Sequence, residues 1–315
     1  MRIIIRTPNF IGDTIMMLPS LKLIQNHYKD AKITILCPPS CRDLFRGYGI
    51  NEIIIDDTKR DKRVKNSIKL IKKLRKKHYN LGILFHNALS SALIFKCAKI
   101  DTLIGYKNGG REILLDFAPK INRSRHYINH YANLINSYFG EKFETLPDMR
   151  LFTSKQNLIK RSKKKIVALV LGTNKGDRGY PIELSKKLCK LLAKKDYQII
   201  FLGDQNDKKA NSIYHEIISD SIDLTAKTTV AEFIDIIAFV DLLVTIDTSA
   251  MHIAAATNTK FITLLGQGTS PFSVVKPKVD FGSYLCCGDK YIKDSDIISS
   301  ISPKMIVDEI EKRLS

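Results

Sequence analysis

Val240 to Ala256 reads VDLLVTIDTSAMHIAAA. The apolar run Leu242–Ile246 has the length and composition of a strand buried on both faces. A polar turn follows at Asp247, Thr248 and Ser249, and then a run of small residues with His252 one helical turn after Thr248. A buried strand giving way to a helix through so short a turn is half of a βαβ unit, which points to an α/β fold with parallel strands. Free N–H groups and the positive end of the helix dipole attract an anion at such a turn. Asp247 adds a carboxylate suited to sugar hydroxyls. A plain helix N-cap uses the same residue types, so the local pattern fits either role.

The same rhythm extends outward in both directions. Ile166–Leu171 reads as a strand running into Gly172-Thr173-Asn174, followed by a helix Ile182–Lys195 and a strand Ile199–Leu202 closing on Gly203-Asp204. Thr229–Phe239 is helical, Phe261–Leu265 is another strand closing on Gly266–Pro271, and the tail from Pro303 is a helix. In the first half, residues 2–5 are a buried strand, and the turn Pro8–Asp13 leads a helical pattern through Tyr28. Pro19 belongs near a helix start or a kink, because it has no N–H to donate. Strands follow at Ile33–Cys37, Glu52–Ile55, Leu81–Phe85 and Ile104–Tyr106. The polar, basic stretch Arg150–Lys165 reads as a linker. The expectation is two doubly wound, Rossmann-like domains, 1–155 and 156–315, facing a central cleft, with the last helix able to pack back on the first domain.

The chain has 315 residues, 44% hydrophobic and 26% charged, which is a globular composition with room for two cores. A formal charge of +19 calls for an anionic partner: nucleic acid, an anionic membrane, or a phosphorylated substrate. The most basic part is Lys59–Lys77, where Val64, Ile68, Ile71 and Leu74 recur at helical spacing. It reads either as a docked helix with a solvated basic face or as a surface leaning on anionic lipid. No aromatic residues interleave there to stack bases, which weakens a nucleic-acid reading. There is neither a secretory signal nor an apolar run of membrane-spanning length, so a cytoplasmic chain is expected. The six cysteines contain no C-x-x-C pair and read mostly as small core residues of a reducing compartment. Asp294-Ser295-Asp296 reads as a solvated loop and no metal is assigned to it.

In a doubly wound sheet, ligands bind outside the carboxyl ends of the strands. Those ends carry Asn9–Asp13, His86-Asn87, Gly172-Thr173-Asn174, Gly203–Asp207, Asp247–Ser249 and Gly266–Ser270. Asp13 stands on a Gly12 turn, suited to a general base for a hydroxyl nucleophile and equally to a helix cap. Arg125-His126-Tyr127 and His130-Tyr131 lead a further helix, and both histidines suit surface caps or acceptor contacts. Neither a G-x-G-x-x-G after the first strand nor a G-x-x-x-x-G-K-[ST] is present, which disfavours dinucleotide oxidoreductases and P-loop NTPases.

Three blocks carry a resemblance. PNFIGDTIMMLPSL (Pro8–Leu21), GTNKGDRGYP (Gly172–Pro181) and VTIDTSAMHIAAATNTKFITLLGQGTSP (Val244–Pro271) resemble, in this order and spacing, the ADP-heptose:lipopolysaccharide heptosyltransferases of glycosyltransferase family 9. PNFIGD and CPPSCRDLF (Cys37–Phe45) look more like the second heptosyltransferase branch than the first. The resemblance implies the GT-B architecture and inverting, metal-independent transfer of L-glycero-D-manno-heptose from ADP-heptose. The acceptor it implies is a heptosyl-Kdo-lipid A inner core at the cytoplasmic face of the inner membrane. It implies no cofactor, a peripheral contact with the anionic membrane, and no nucleic acid.

By position, the resemblance makes Asp13 the base. Thr173, Asn174 and Arg178 meet the donor phosphates, Asp207 the ribose and Asp247 the donor sugar, while Thr248, Ser249 and the following helix N-terminus meet the pyrophosphate with His252 close by. Asn9, Gly12, Arg63 and Arg125 are the acceptor-side candidates. Arg178 stands where the family has Lys, Tyr180 stands for Trp as an aromatic wall, and Ser249-Ala250 replaces a Gly whose lack of side chain eases phosphate approach. Two other readings stay open: a family-9 transferase with a different nucleotide sugar or surface-polysaccharide acceptor, and a non-enzymatic basic protein that binds membrane or nucleic acid.

Overall fold

The computed structural model describes residues 1–59, 61–140, 145–154, 158–161, 163–172, 179–266, 270–286 and 297–315. The chain divides into two units between Arg150 and Leu151. Leu151 belongs to the second because its N–H donates to the Ala256 carbonyl at 2.8 Å. Ser154 follows it, binding Asp235 through both N–H and hydroxyl at 2.9 and 2.7 Å.

The first unit runs β1 (Arg2–Arg6), α1 (Ile11–His27), β2 (Lys32–Cys37), β3 (Glu52–Ile55), α2 (Arg63–Arg75), β4 (Leu81–Leu84), α3 (Leu89–Cys97), β5 (Thr102–Gly105) and α4 (Tyr127–Phe139). Its five strands are all parallel in the order β3-β2-β1-β4-β5, with Ile3 and Ile4 of β1 opposite Ile33 and Thr34 on one side and Leu81 and Gly82 on the other. The order reverses between β1 and β4, so the crevice at their carboxyl ends is the ligand-binding position of a doubly wound sheet. One face of the sheet is covered by α2 and α3, whose Leu70, Leu74, Ala92 and Phe95 pack with Ile4, Leu36, Ile54 and Leu84 of the strands. Elsewhere in this unit α1 packs against α4.

Pro19 lies in the middle of α1, not at its start. The Ile15 carbonyl thereby loses its helical donor, a defect worth about 3 kcal/mol in an exposed helix. Here the helix is held by burial, since every residue from Thr14 to Leu21 is buried. A second difference concerns α2. Leu70 and Leu74 are buried, but Val64 and Ile68 of the same apolar series stand in solvent.

The second unit runs β6 (Lys165–Val170), α5 (Ile182–Leu192), β7 (Tyr197–Phe201), α6 (Lys208–Ile217), β8 (Ile222–Asp223), α7 (Val230–Phe239), β9 (Leu242–Ile246), α8 (Ser249–Ala256), β10 (Phe261–Leu264), α9 (Phe272–Val275), β11 (Gly282–Leu285) and α10 (Pro303–Leu314). Its six parallel strands are ordered β11-β10-β9-β6-β7-β8, and the order reverses between β6 and β9. Val240–Ala256, which forms β9 and α8, is therefore half of this crevice. α7 begins with a capping box, Thr229 and Glu232 bonding each other's backbone N–H, as helix-start chemistry dictates. α10 packs on α5 and β9 of its own unit through Ile306, Val307 and Ile310. Cys37, Cys41 and Cys189 are core residues as expected, whereas Cys97 and Cys286 are exposed.

Candidate active site

The carboxyl edge of the first sheet is tied together by one polar chain. Arg6, the last residue of β1, is 2% exposed and pairs with Asp56 beyond β3 at 2.7 Å. Burial pulls the Arg6 guanidinium down from its ordinary value, and Asp56 opposes the fall. For Asp56, burial pushes upward, but Arg6 and the Thr58 hydroxyl and N–H outweigh it and leave the carboxyl below its usual range. Arg6 also donates to the Thr7 carbonyl at 2.6 Å and to Asn9 Oδ1 at 2.8 Å. That second bond fixes the Asn9 amide, so its Nδ2 faces His86 Nε2 at 2.7 Å as the donor. The His86 proton then sits on Nδ1, 2.8 Å from Ser91 Oγ at the start of α3. Burial, then the charges of Arg6 and Lys59, lowers His86 to about 4, so the ring is neutral at pH 7 and the relay keeps one tautomer.

The Thr7–Phe10 turn held by this chain delivers Asp13. Phe10, extended and without a side-chain cap, precedes α1, and Asp13 lies in its first turn, where the helix dipole favours a carboxylate. Gly12 is buried and Asp13 half-buried. Thr14 behind them donates to the Pro8 carbonyl and Cys41 Sγ, both at 3.4 Å. Tyr131 of α4 is close enough that burial and then the Asp13 charge push its phenol well above the ordinary value. Arg125, half-buried before α4, is close enough to His130 that its charge joins burial in lowering that ring to about 4. Arg63 is placed differently, on the exposed first turn of α2.

Arg111 is an element that sequence reasoning missed. It is fully buried and its three nitrogens donate to the Tyr106 carbonyl at 2.8 Å, the His86 carbonyl at 2.6 Å and Asn87 Oδ1 at 2.9 Å. Burial lowers it to about 10, still cationic at neutral pH. It braces the loop after β4, and a Cβ on Gly105 would meet its guanidinium at 2.9 Å. Arg6 and Asp56 were missed too. The only signal for Arg6 was an arginine closing an isoleucine strand.

In the second unit, β9 ends at Ile246, Asp247 follows, and Thr248 stands at the N-cap of α8 in an extended conformation without a side-chain cap bond. In that first turn the Met251 N–H donates to the Thr248 carbonyl at 3.2 Å, and the positive end of the α8 dipole faces the turn. Thr245 and Thr248 hydroxyls lie 3.3 Å apart beneath it. Asp247, Thr248 and Ser249 are half-buried, and everything from Ala250 to Ala256, including His252, is buried. Ser249 does not adopt positive φ, so the backbone there does not require glycine.

Asp207 caps α6 between the ends of β6 and β7. Its carboxylate accepts the Asp204 N–H at 3.0 Å and fills the space that side chains on Gly172 and Gly203 would occupy. Burial raises its pKa. Tyr180 is not an open aromatic wall: its ring is buried in the second core and its hydroxyl donates to the Ile301 carbonyl at 2.6 Å. Thr173, Asn174 and Arg178 lie outside the described residues, as does the stretch Asp294-Ser295-Asp296. Among the described residues, no three His, Cys, Asp or Glu side chains are grouped so as to hold a metal ion.

Residues 67–275 match the family model of glycosyltransferase family 9 (heptosyltransferase). The chain is 27% identical to lipooligosaccharide heptosyltransferase 2 of Campylobacter jejuni over 334 aligned residues, covering 100% of this chain and 98% of the relative. The fold is that of ADP-heptose LPS heptosyltransferase II of E. coli, with a TM-score of 0.85, 22% identity, and coverage of 100% and 98% of the two chains. It is also that of a family 9 glycosyl transferase from Veillonella parvula, with a TM-score of 0.88, 16% identity, and 99% and 97% coverage. Two parallel, doubly wound sheets in one chain constitute the GT-B class seen in these structures. With two thirds of its length inside the family model, this chain belongs to glycosyltransferase family 9, the heptosyltransferases.

Proposed function

We propose that the protein transfers L-glycero-D-manno-heptose from ADP-heptose, with inversion, to a heptosyl-Kdo-lipid A acceptor, adding the second heptose of the lipopolysaccharide or lipooligosaccharide inner core. The observation that carries this reading is the end-to-end likeness to lipooligosaccharide heptosyltransferase 2. The second unit takes the donor. Asp247 holds the sugar, and the N-terminus of α8 with Thr248 and Ser249 takes the pyrophosphate. Departing ADP develops negative charge, which N–H dipoles, hydroxyls and the Arg178 cation stabilise without a metal or cofactor.

The first unit takes the acceptor, and Asp13 removes the proton from its hydroxyl as that oxygen attacks the anomeric carbon. Its anchored turn favours this role, because a base works only when its position is fixed within hydrogen-bond reach of the proton. The membrane-embedded acceptor places the enzyme at the cytoplasmic face of the inner membrane. No described helix is long and apolar enough to cross a bilayer.

Asp13→Asn tests the assignment. It keeps size and polarity but removes the basic carboxylate, so kcat is expected to fall by about 10²–10⁴. Donor affinity by calorimetry should stay unchanged. Full kcat in the Asp13→Asn variant would refute the base.

A further inference from the structure

Large apolar side chains cluster in solvent on three neighbouring segments of the first unit. On α2, Val64 is 75% and Ile68 48% exposed; on α3, Leu89 is 49% and Leu93 50% exposed; Ile113, on the turn Arg111–Leu114, is 84% exposed. α2 packs against α3, and α3 against that turn, so the three segments adjoin. The inward sides of both helices bury Leu70, Leu74, Ala92 and Phe95 on the same face of the sheet. Their outward sides therefore look away from that sheet together. Val64 and Ile68 are spaced by four residues, as are Leu89 and Leu93, so each pair forms a stripe along its helix. Solvent-exposed stripes of this size on adjoining elements mark an interaction surface.

Charge selects the occupant. Residues 62–77 hold nine lysines and arginines and no acid. Lys65, Lys72 and Arg75 fall by helical periodicity on the side of α2 that carries Val64 and Ile68, and all three are exposed. Lys62, Arg63 and Lys65 share a shallow depression with Val64 and Ile68. On α3, Lys96 continues the Leu89–Leu93 stripe and is half exposed. A protein partner would bury such cations at a desolvation cost, whereas an anionic bilayer receives apolar tips below the headgroups and meets cations at headgroup level. α3 begins directly after His86-Asn87, so this face borders the edge that carries Asn9.

We propose that the outward face of α2 and α3, with the Arg111–Leu114 turn, docks the chain on an anionic phospholipid bilayer by inserting Val64, Ile68, Leu89, Leu93 and Ile113 between headgroups. The proposal rests on the membrane-bound acceptor of the preceding reading for its purpose, but its test uses neither donor nor acceptor.

The whole chain is floated with vesicles of phosphatidylcholine alone or mixed with phosphatidylglycerol. Wild type binds the mixed vesicles. The variant Val64→Ser, Ile68→Ser, Leu89→Ser, Leu93→Ser loses at least about tenfold in partitioning, because four apolar anchors are removed. Lys65→Glu with Lys72→Glu loses binding comparably, while Lys187→Glu with Lys190→Glu on α5, the same charge change elsewhere, retains it. All positions are exposed or half-exposed, and thermal melts confirm that the variants fold. Wild type failing to bind mixed vesicles would overturn the proposal. So would serine variants binding like wild type, or the α5 pair losing as much as the α2 pair, which would assign the effect to net charge. Self-association abolished by the serine variants without vesicle binding would also overturn it and make this a dimer interface. Vesicle binding as described together with absent heptosyl transfer would leave this surface standing and remove the catalytic reading instead.

Discussion

Two imidazoles of the first unit, His86 and His130, are neutral at pH 7. His86 is held neutral between Asn9 and Ser91, and His130 is stacked on Tyr106 with ring centroids 4.3 Å apart. Burial is the main cause in both, because a low-dielectric site disfavours the charged ring. Well above pH 6.5 these rings are neutral in the folded and the unfolded chain alike. Between about 6.5 and about 4 the unfolded chain binds protons that the folded chain refuses, so stability falls as pH drops through that window. His130 is 7% exposed, and its share of the loss is roughly 3 kcal/mol at the acid end. His130→Phe keeps the stack on Tyr106 and removes the proton site. Urea midpoints at pH 7 and pH 4.5 should therefore differ less in this variant than in wild type; an equal difference would show that His130 does not carry the effect.

At the scale of elements, the turn after β6 and the turn after β7 are coupled through Asp207. A Cβ at residue 172 would land on its carboxylate, so Gly172 is needed for close approach and not for an unusual φ. Gly172→Ala should cost about 1–3 kcal/mol of stability through overpacking. Adding Asp207→Ala to that variant should recover most of the loss, measured by denaturant unfolding. No recovery would mean that the alanine clashes elsewhere.

This scale also shows what a sequence reveals. Gly172, Gly203 and Asp207 were legible as loop residues at strand ends, and the isoleucine run of β1 and the VDLLVTI run of β9 were legible as buried parallel strands. β8 and β11 were not, being two residues in one case and led by Gly282-Ser283 in the other, too short or too polar to show a period. Apolar spacing in α2 identified a helix but could not tell that Leu70 and Leu74 face the sheet while Val64 and Ile68 face water. That choice depends on where α3 packs. The same limit hid the Arg6–Asp56 pair, which joins residues far apart in the chain and exists only because β1, β2 and β3 lie side by side.

At the scale of the whole molecule, two Rossmann-like units of similar strand order divide the work. In the proposed function the second unit offers a helix start at its crevice to the donor, and the first offers a carboxylate on an anchored turn to the acceptor. The formal charge of +19 is densest along α2 and its flanks, where residues 62–77 hold nine lysines and arginines and no acid. Product mass reads the identity of the transferred group directly. The purified enzyme is incubated with heptosyl-Kdo-lipid A and, in separate reactions, ADP-heptose, ADP-glucose, UDP-glucose and GDP-mannose. Acceptor mass is expected to rise by one heptose residue with ADP-heptose and to stay unchanged with the others. No product from ADP-heptose alongside transfer from another nucleotide sugar would contradict the proposed transfer.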